Sequence, residues 1–284
     1  MKKIIALGIL LSTLTACAAA LTQTAPTPLT TIAQETLTYQ VNIADYRKEA
    51  EAEDGTKLVE VCMELPELTV LRPDGTQVEE PQNEAERTAL TAAETFNTQF
   101  QKWNSEETFA ELKQWAETDY AVSPEAFTQS GLYYTEEVTT SVCRVGELLS
   151  VKEDYMTYTG GAHPNTVLLA CTFDLSTGTF LEVTTLAADV GDFLSAVTEE
   201  ILRQANEPLA DGTIPAEGYW EGYKDVAANW TSYAVSFDET GMTVSFSPYE
   251  LASYAAGSQT FFLPYAVLRP YFNDHGLALL GLEK

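Results

Sequence analysis

Residues 155–178 read YMTYTGGAHPNTVLLACTFDLSTG, and the fold turns on how this stretch is read. Its first part is rich in Tyr and Thr, residues that suit a pleated strand. Gly160-Gly161 permits positive φ, and His163 before Pro164 is pushed toward extended backbone, so a stiff, presented tip is predicted. Residues 166–174 then put Val167, Leu169, Cys171 and Phe173 on one apolar face with a period of two. Ser176-Thr177-Gly178 closes a turn. Strand, glycine-hinged loop, strand and turn make an antiparallel hairpin. Two readings of its tip stand: His163, Pro164 and Asn165 contact a ligand, or the loop closes a long hairpin with His163 bonded to local backbone.

Working upstream, residues 132–145 and 148–159 read as strand, with Gly146 marking a bend or bulge between them. Two helices precede them. Asn83 followed by Glu86 is a capping-box pattern, and Leu90, Ala93, Phe96, Phe100 and Trp103 recur at helical spacing. Asn104 or Ser105 can cap a second, short helix with Phe109, Leu112 and Trp115 on its buried face. Aromatics at that spacing read as core rather than as a sugar-stacking platform. Residues 37–43 and 57–65 alternate as half-buried strands, and Arg72-Pro73-Asp74-Gly75 reads as a hairpin turn.

Downstream, Asp189 caps a helix with Val190, Phe193, Leu194, Val197, Ile201 and Leu202 in an apolar stripe. A short helix around residues 220–230 leads to strands at 232–237 and 242–246. Ser247-Pro248-Tyr249-Glu250 opens a further short helix ending at Gly257. A strand follows at 259–263, and Pro264 starts a last helix toward Phe272. Antiparallel runs without βαβ periodicity predict an α+β fold, with antiparallel sheets, helices packed on one face, and two consecutive subdomains at 37–130 and 131–284.

The N-terminus carries an export signal. Lys2 and Lys3 precede an apolar run from Ile4 to Ala16, shorter than the about 20 residues a bilayer span needs. It ends in Leu14-Thr15-Ala16-Cys17, which resembles the lipobox of bacterial lipoproteins. That resemblance implies cleavage after residue 16 and a lipid on Cys17, an extracytoplasmic protein held to the bacterial membrane only by its acyl chains. Residues 17–36, rich in Ala, Thr and Pro, read as a tether.

Composition excludes some classes of partner. A formal charge of −27 over 284 residues argues against nucleic acid, whose binding rests on clustered Lys and Arg. The same field draws in a basic partner. No P-loop, dinucleotide fingerprint, G-x-S-x-G or H-E-x-x-H occurs, so no catalytic residue, cofactor or metal is called for. Cys62, Cys143 and Cys171 lack the close pairing of a zinc site. If the hairpin is symmetric about its loop, residue 171 faces roughly position 154 rather than Cys143, which favours free thiols.

The pieces Gly160-Gly161-Ala162-His163-Pro164-Asn165, Asp174-Leu175-Ser176-Thr177-Gly178, Phe246-Ser247-Pro248-Tyr249-Glu250, Tyr254, Gly257 and Leu263-Pro264-Tyr265 occur in one order. Together they resemble the extracellular domain of RsiV-type anti-sigma factors, which is related to the domain preceding PdaC-type peptidoglycan deacetylases. The likeness is strong over residues 131–272 and weaker from Leu37. It implies an envelope-facing α+β module without catalysis of its own, whose RsiV counterpart binds lysozyme in the enzyme's substrate cleft. This chain departs from RsiV in having a lipid anchor for a transmembrane helix and no sigma-binding segment, and from PdaC in lacking the deacetylase part. What the resemblance carries over is recognition of a lysozyme-like hydrolase or of peptidoglycan, with Gly160, Gly161, His163, Pro164, Asn165, Tyr249 and Tyr254 as candidate contacts.

Overall fold

The computed structural model describes residues 36–101 and 106–283. The predicted export signal, Cys17, the predicted tether up to residue 35, and Trp103 to Ser105 lie outside the described residues. In chain order, β1 (Thr38–Glu51) and β2 (Lys57–Leu71) are followed by α1 (Glu84–Gln101), α2 (Glu106–Val122) and α3 (Pro124–Thr128). Then come β3 (Tyr134–Val145), β4 (Leu148–Tyr158), β5 (Asn165–Asp174), β6 (Thr179–Leu181) and α4 (Val190–Ala205). The chain closes with α5 (Tyr223–Ala228), β7 (Ala234–Phe237), β8 (Gly241–Phe246), β9 (Gln259–Pro264), α6 (Tyr265–Leu268) and α7 (Asp274–Leu279). This is an α+β fold.

Strands β1 to β6 lie side by side in sequence order as one six-stranded sheet, and β7 to β9 form a three-stranded antiparallel sheet. One joint departs from the all-antiparallel expectation. Val59–Met63 of β2 pair in parallel with Tyr134–Val138 of β3. A parallel joint needs a long crossover, and α1, α2 and α3 supply it. Where that pairing stops, the Glu64 carboxylate accepts from the Thr140 N–H at 2.8 Å and keeps the diverging strands joined. One sheet therefore contains strands from both sides of the boundary expected between residues 130 and 131.

Alternation along β4 shows how the layers stack. Leu149 and Val151 join Phe96, Phe100 and Phe173 under α1, while Leu148 joins the core beneath the three-stranded sheet. Phe96 packs against Phe173 at 5.4 Å and Phe180 at 6.1 Å between ring centroids. Such pairs contribute about 0.5–1.5 kcal/mol each beyond their buried area. On the other side of β4, the Ser150 hydroxyl accepts from the Phe237 N–H at 2.7 Å, fastening β7 to the larger sheet. Helix α1 is tied to β2 by Asn97, whose amide accepts from the Leu68 N–H and donates to its carbonyl at 2.7 and 3.0 Å.

Local signals set several of these elements. The Asn83 side chain accepts from the Glu86 N–H at 2.9 Å, as the capping pattern predicts, and the Glu86 carboxylate is gripped by Arg72 and Asn83. Asp189 caps α4 by accepting from the Asp192 N–H at 2.9 Å. Four expectations need correction. Helix α2 is long, and Trp115 stands 58% exposed because Ala116, with Leu112, fills the inward position. Gly146 is not a bend within a strand but half of a two-residue turn that pairs Val145 with Leu148. Cys171 lies opposite Val151 rather than near position 154, because the hairpin is symmetric about Gly161 and not about the middle of Gly160–Asn165. Residues 247–257 form no α-helix; the chain turns and makes only a short 3₁₀ turn at Tyr254–Ala256. Cys62, Cys143 and Cys171 are free thiols. No described helix is long and apolar enough to cross a membrane.

Candidate functional site

The loop between β4 and β5 meets the turn that follows β8, and the meeting is engineered from both sides. Gly160 and Gly161 adopt φ of 99° and 106°, conformations natural to glycine, and swing the chain outward. The Tyr158 hydroxyl donates to the Gly161 carbonyl at 3.0 Å, tying the outward swing to the end of β4. Pro164 extends the backbone into β5. Four residues beyond Pro164, within β5, the Leu168 N–H donates to the buried Ser247 hydroxyl at 3.0 Å. That bond brings the Ser247-Pro248-Tyr249-Glu250 turn alongside the loop.

His163 fills the junction. Its Nδ1 lies 2.8 Å from the Pro164 carbonyl and its Nε2 2.9 Å from the Tyr249 hydroxyl. A carbonyl only accepts, so in the neutral ring Nδ1 carries the proton and Nε2 accepts from Tyr249. The imidazole is stacked on Tyr254 at 3.6 Å between centroids with the planes 10° apart. Local backbone bonding and contact with distant aromatics thus coexist on one side chain.

Tyr249 is the strained member. Among the described residues it is the one non-glycine residue with positive φ, 75°, and its side chain is 53% exposed. For a bulky side chain this backbone costs about 1–2 kcal/mol. Neighbours hold it in place: the Trp220 indole donates to the Tyr249 carbonyl at 3.2 Å, and the Trp220 N–H donates to the Leu251 carbonyl at 2.8 Å. The Glu250 carboxylate accepts from the Ser247 N–H, although burial raises its pKa above the usual carboxylate range. Trp220 is itself 46% exposed. The arrangement is a surface of aromatic rings with one imidazole, fixed by hydrogen bonds beneath it.

Of the seven candidate contacts, His163, Tyr249 and Tyr254 converge and Gly160 and Gly161 shape the loop. Asn165 stands apart as the first residue of β5, opposite Thr157. Pro164 faces elsewhere, lining a cavity of about 410 Å³ with Tyr158 and Glu137. Sequence reasoning missed Trp220 and Ser247 as supports. Trp220 was legible only as the first residue of the short helix expected around residues 220–230.

A second polar feature lies under the helices. Glu136 and Glu153 are 5% and 6% exposed, and an oxygen of each lacks a hydrogen-bond partner among the described residues. Burial raises both carboxyls, Glu153 to about 7. By strand alternation they share the face of Val138 and Val151, opposite the face of Leu168 that meets Ser247. Among the described residues no cluster of three or more His, Cys, Asp or Glu is arranged to hold a metal ion.

Comparison with curated proteins finds no match. Among solved structures, a DUF3298-family member from Bacteroides fragilis NCTC 9343 is similar, with a TM-score of 0.60 and 13% identity over 86% of this chain and 98% of that one. A DUF3298-family protein from Pseudomonas aeruginosa PAO1 gives a TM-score of 0.49 and 12% identity over 85% and 97% of the two chains. The first likeness speaks for a shared fold. Residues 188–266, which include Trp220, Ser247, Tyr249 and Tyr254, match the model of DUF3298, a family described as a protein of unknown function.

Proposed function

We propose that the protein is a non-catalytic cell-envelope lipoprotein, anchored through Cys17, that binds a basic wall hydrolase of the lysozyme type through the His163–Tyr249–Tyr254 surface. The observation that carries this reading is Tyr249: an exposed aromatic residue kept at φ 75° and clamped by Trp220. Backbone strain clusters at ligand clamps, active sites and switch regions, where the surrounding structure holds it in place. Aromatic rings and an imidazole presented on a rigid base are contact groups, of the kind that anchor protein interfaces. The formal charge of −27 favours a basic partner. The RsiV-type resemblance, consistent with a DUF3298 domain, supplies the lysozyme class.

The test is binding of the soluble chain from residue 18 to hen egg-white lysozyme, measured by calorimetry at 50 and 500 mM NaCl. Salt-sensitive binding that falls at least tenfold in the His163→Ala, Tyr249→Ala double variant supports the reading. Binding indifferent to that variant, or absent at low salt, sinks it. Retention on purified peptidoglycan, or release of acetate or reducing ends from it, is the outcome that replaces it with a glycan-directed role.

A further inference from the structure

Behind the loop, among the described residues, one face of β1, β2 and β3 has no layer packed upon it. The opposite face of these strands carries Val59, Val61 and Met63, which pack with Leu112 and Ala116 of α2. The open face carries the alternate residues: Asp45 and Arg47 of β1, Glu60, Cys62 and Glu64 of β2, and Thr135, Glu137 and Thr139 of β3. Asp45, Arg47 and Glu137 are exposed. Two adjoining hollows run along it. One of about 410 Å³ is bounded by Arg47, Glu60, Tyr133, Glu137, Tyr158 and Pro164. The next, of about 420 Å³, shares Arg47, Cys62 and Glu137 and extends to Asp45, Glu64 and Thr139.

The chain itself displays what this face holds well. At its rim the Lys57 ammonium sits 2.9 Å from the Glu60 carboxylate and 4.7 Å from the centre of the Tyr133 ring. Its carboxylate and aromatic partners are both walls of the first hollow. Further in, Glu137 and Tyr158 offer a carboxylate and an aromatic ring again, and among the described residues no ion pair engages Glu137 or Asp45. Arg47 is the one cationic side chain on the floor of the two hollows. The charge of the open face is thus complementary to a cation, and the ring faces suit an alkyl stem or a guanidinium.

We propose that the open face of β1–β3 docks a Lys- or Arg-bearing segment of a partner protein, with cationic side chains entering between Glu60 and Glu137. This rests on the reading of a basic partner given above and adds a second surface, which Pro164 lines and His163 does not. The β4–β5 loop then contributes to both surfaces, His163 to the aromatic one and Pro164 to the acidic one.

Fluorescence-labelled decalysine is the probe, followed by anisotropy at 20 mM and 300 mM NaCl. The Asp45→Lys, Glu137→Lys variant is compared with Glu94→Lys, Glu199→Lys, which makes the same change of net charge on the solvent sides of α1 and α4. Circular dichroism melts confirm that both fold. The expected result is at least tenfold weaker binding for the first variant and less than twofold for the second. Equal weakening in both means that only the overall negative field attracts the peptide, and overturns the proposal. Chitooligosaccharide binding lost only in the first variant overturns it in favour of a glycan. The His163→Ala, Tyr249→Ala variant should bind decalysine normally. Loss of lysozyme binding there, with decalysine binding intact everywhere, separates failure of this surface from failure of the aromatic one.

Discussion

Strand β4 ends in a glycine-bearing turn at each extremity, and the two turns are opposite in kind. At the β3–β4 end, Gly146 sits at φ 59° against the C-terminal segment; a Cβ there would lie 2.4 Å from the Leu279 carbonyl oxygen. The Glu147 N–H donates to that same carbonyl at 2.9 Å, and Leu279 and Leu280 are buried beside it. At the β4–β5 end, a Cβ on Gly161 would meet nothing within 4 Å, and on Gly160 only the tip of Leu132. The first turn needs glycine because another backbone occupies the space. The second needs it only for conformation, and spends its surroundings on His163, Tyr249 and Tyr254. A turn relieved of packing duty is where a fold can present side chains without endangering its core.

The sharpest way to break this comparison is Gly146→Ala. Positive φ and a backbone clash together should cost about 3 kcal/mol, read as a lower denaturation midpoint, with faster amide exchange at Glu147. A loss no greater than that of Gly161→Ala would mean that the two turns are equivalent after all.

The middle of β4 supplies the next test. Glu153, buried beneath the helices with a pKa near 7 against an ordinary 4.5, costs stability wherever it is ionised. Its contribution is therefore neutral below pH about 4.5, becomes unfavourable as the pH rises toward 7, and stays so above. Glu153→Gln should leave the melting temperature unchanged at pH 4.5 and raise it by several degrees at pH 8. An equal effect at both pH values would show that the carboxyl is not held in its neutral form by burial.

Tyr249→Gly probes the open turn from its partner side. Removing a side chain from φ 75° should leave stability unchanged or raise it by up to about 1 kcal/mol. The same variant should weaken the proposed lysozyme binding about tenfold, or about 1.4 kcal/mol. Destabilisation by several degrees would make Tyr249 a packing residue instead. Smallest of all, Gly161→Ala should cost about 1 kcal/mol from its backbone alone.

Much of the fold was legible because its determinants are local. Asn83 with Glu86, and Asp189, announce helix starts by the bonds their side chains make. The alternation of Val59, Val61 and Met63 announces the buried face of β2. Gly160-Gly161 announces an outward loop. The candidate site was legible in its parts, since its loop and its Ser-Pro-Tyr-Glu turn could each be picked out along the chain. The misreadings concern residues whose role depends on a partner. Trp115 sits at helical spacing for burial, yet Ala116 takes the core-facing position and leaves the indole in solvent. Residues 247–257 carry helix-compatible signals, but Ser247 is claimed by Leu168 and Glu250 by Ser247, so the chain folds into a turn.

The sequence by itself determined most of the strands, the helices capped by Asn83 and Asp189, the glycine loop and the acidic character of the chain, because period, capping and charge are properties of neighbouring residues. Only the tertiary structure decided three things. It joined β2 to β3 in parallel, since alternation is identical for either strand direction. Among the described residues it left one face of β1–β3 open while Leu148–Val151 of β4 are buried on both sides. And it brought Tyr249 to His163 across 86 residues of sequence, because the Ser247 hydroxyl meets the Leu168 N–H only once β5 and the turn after β8 are packed together.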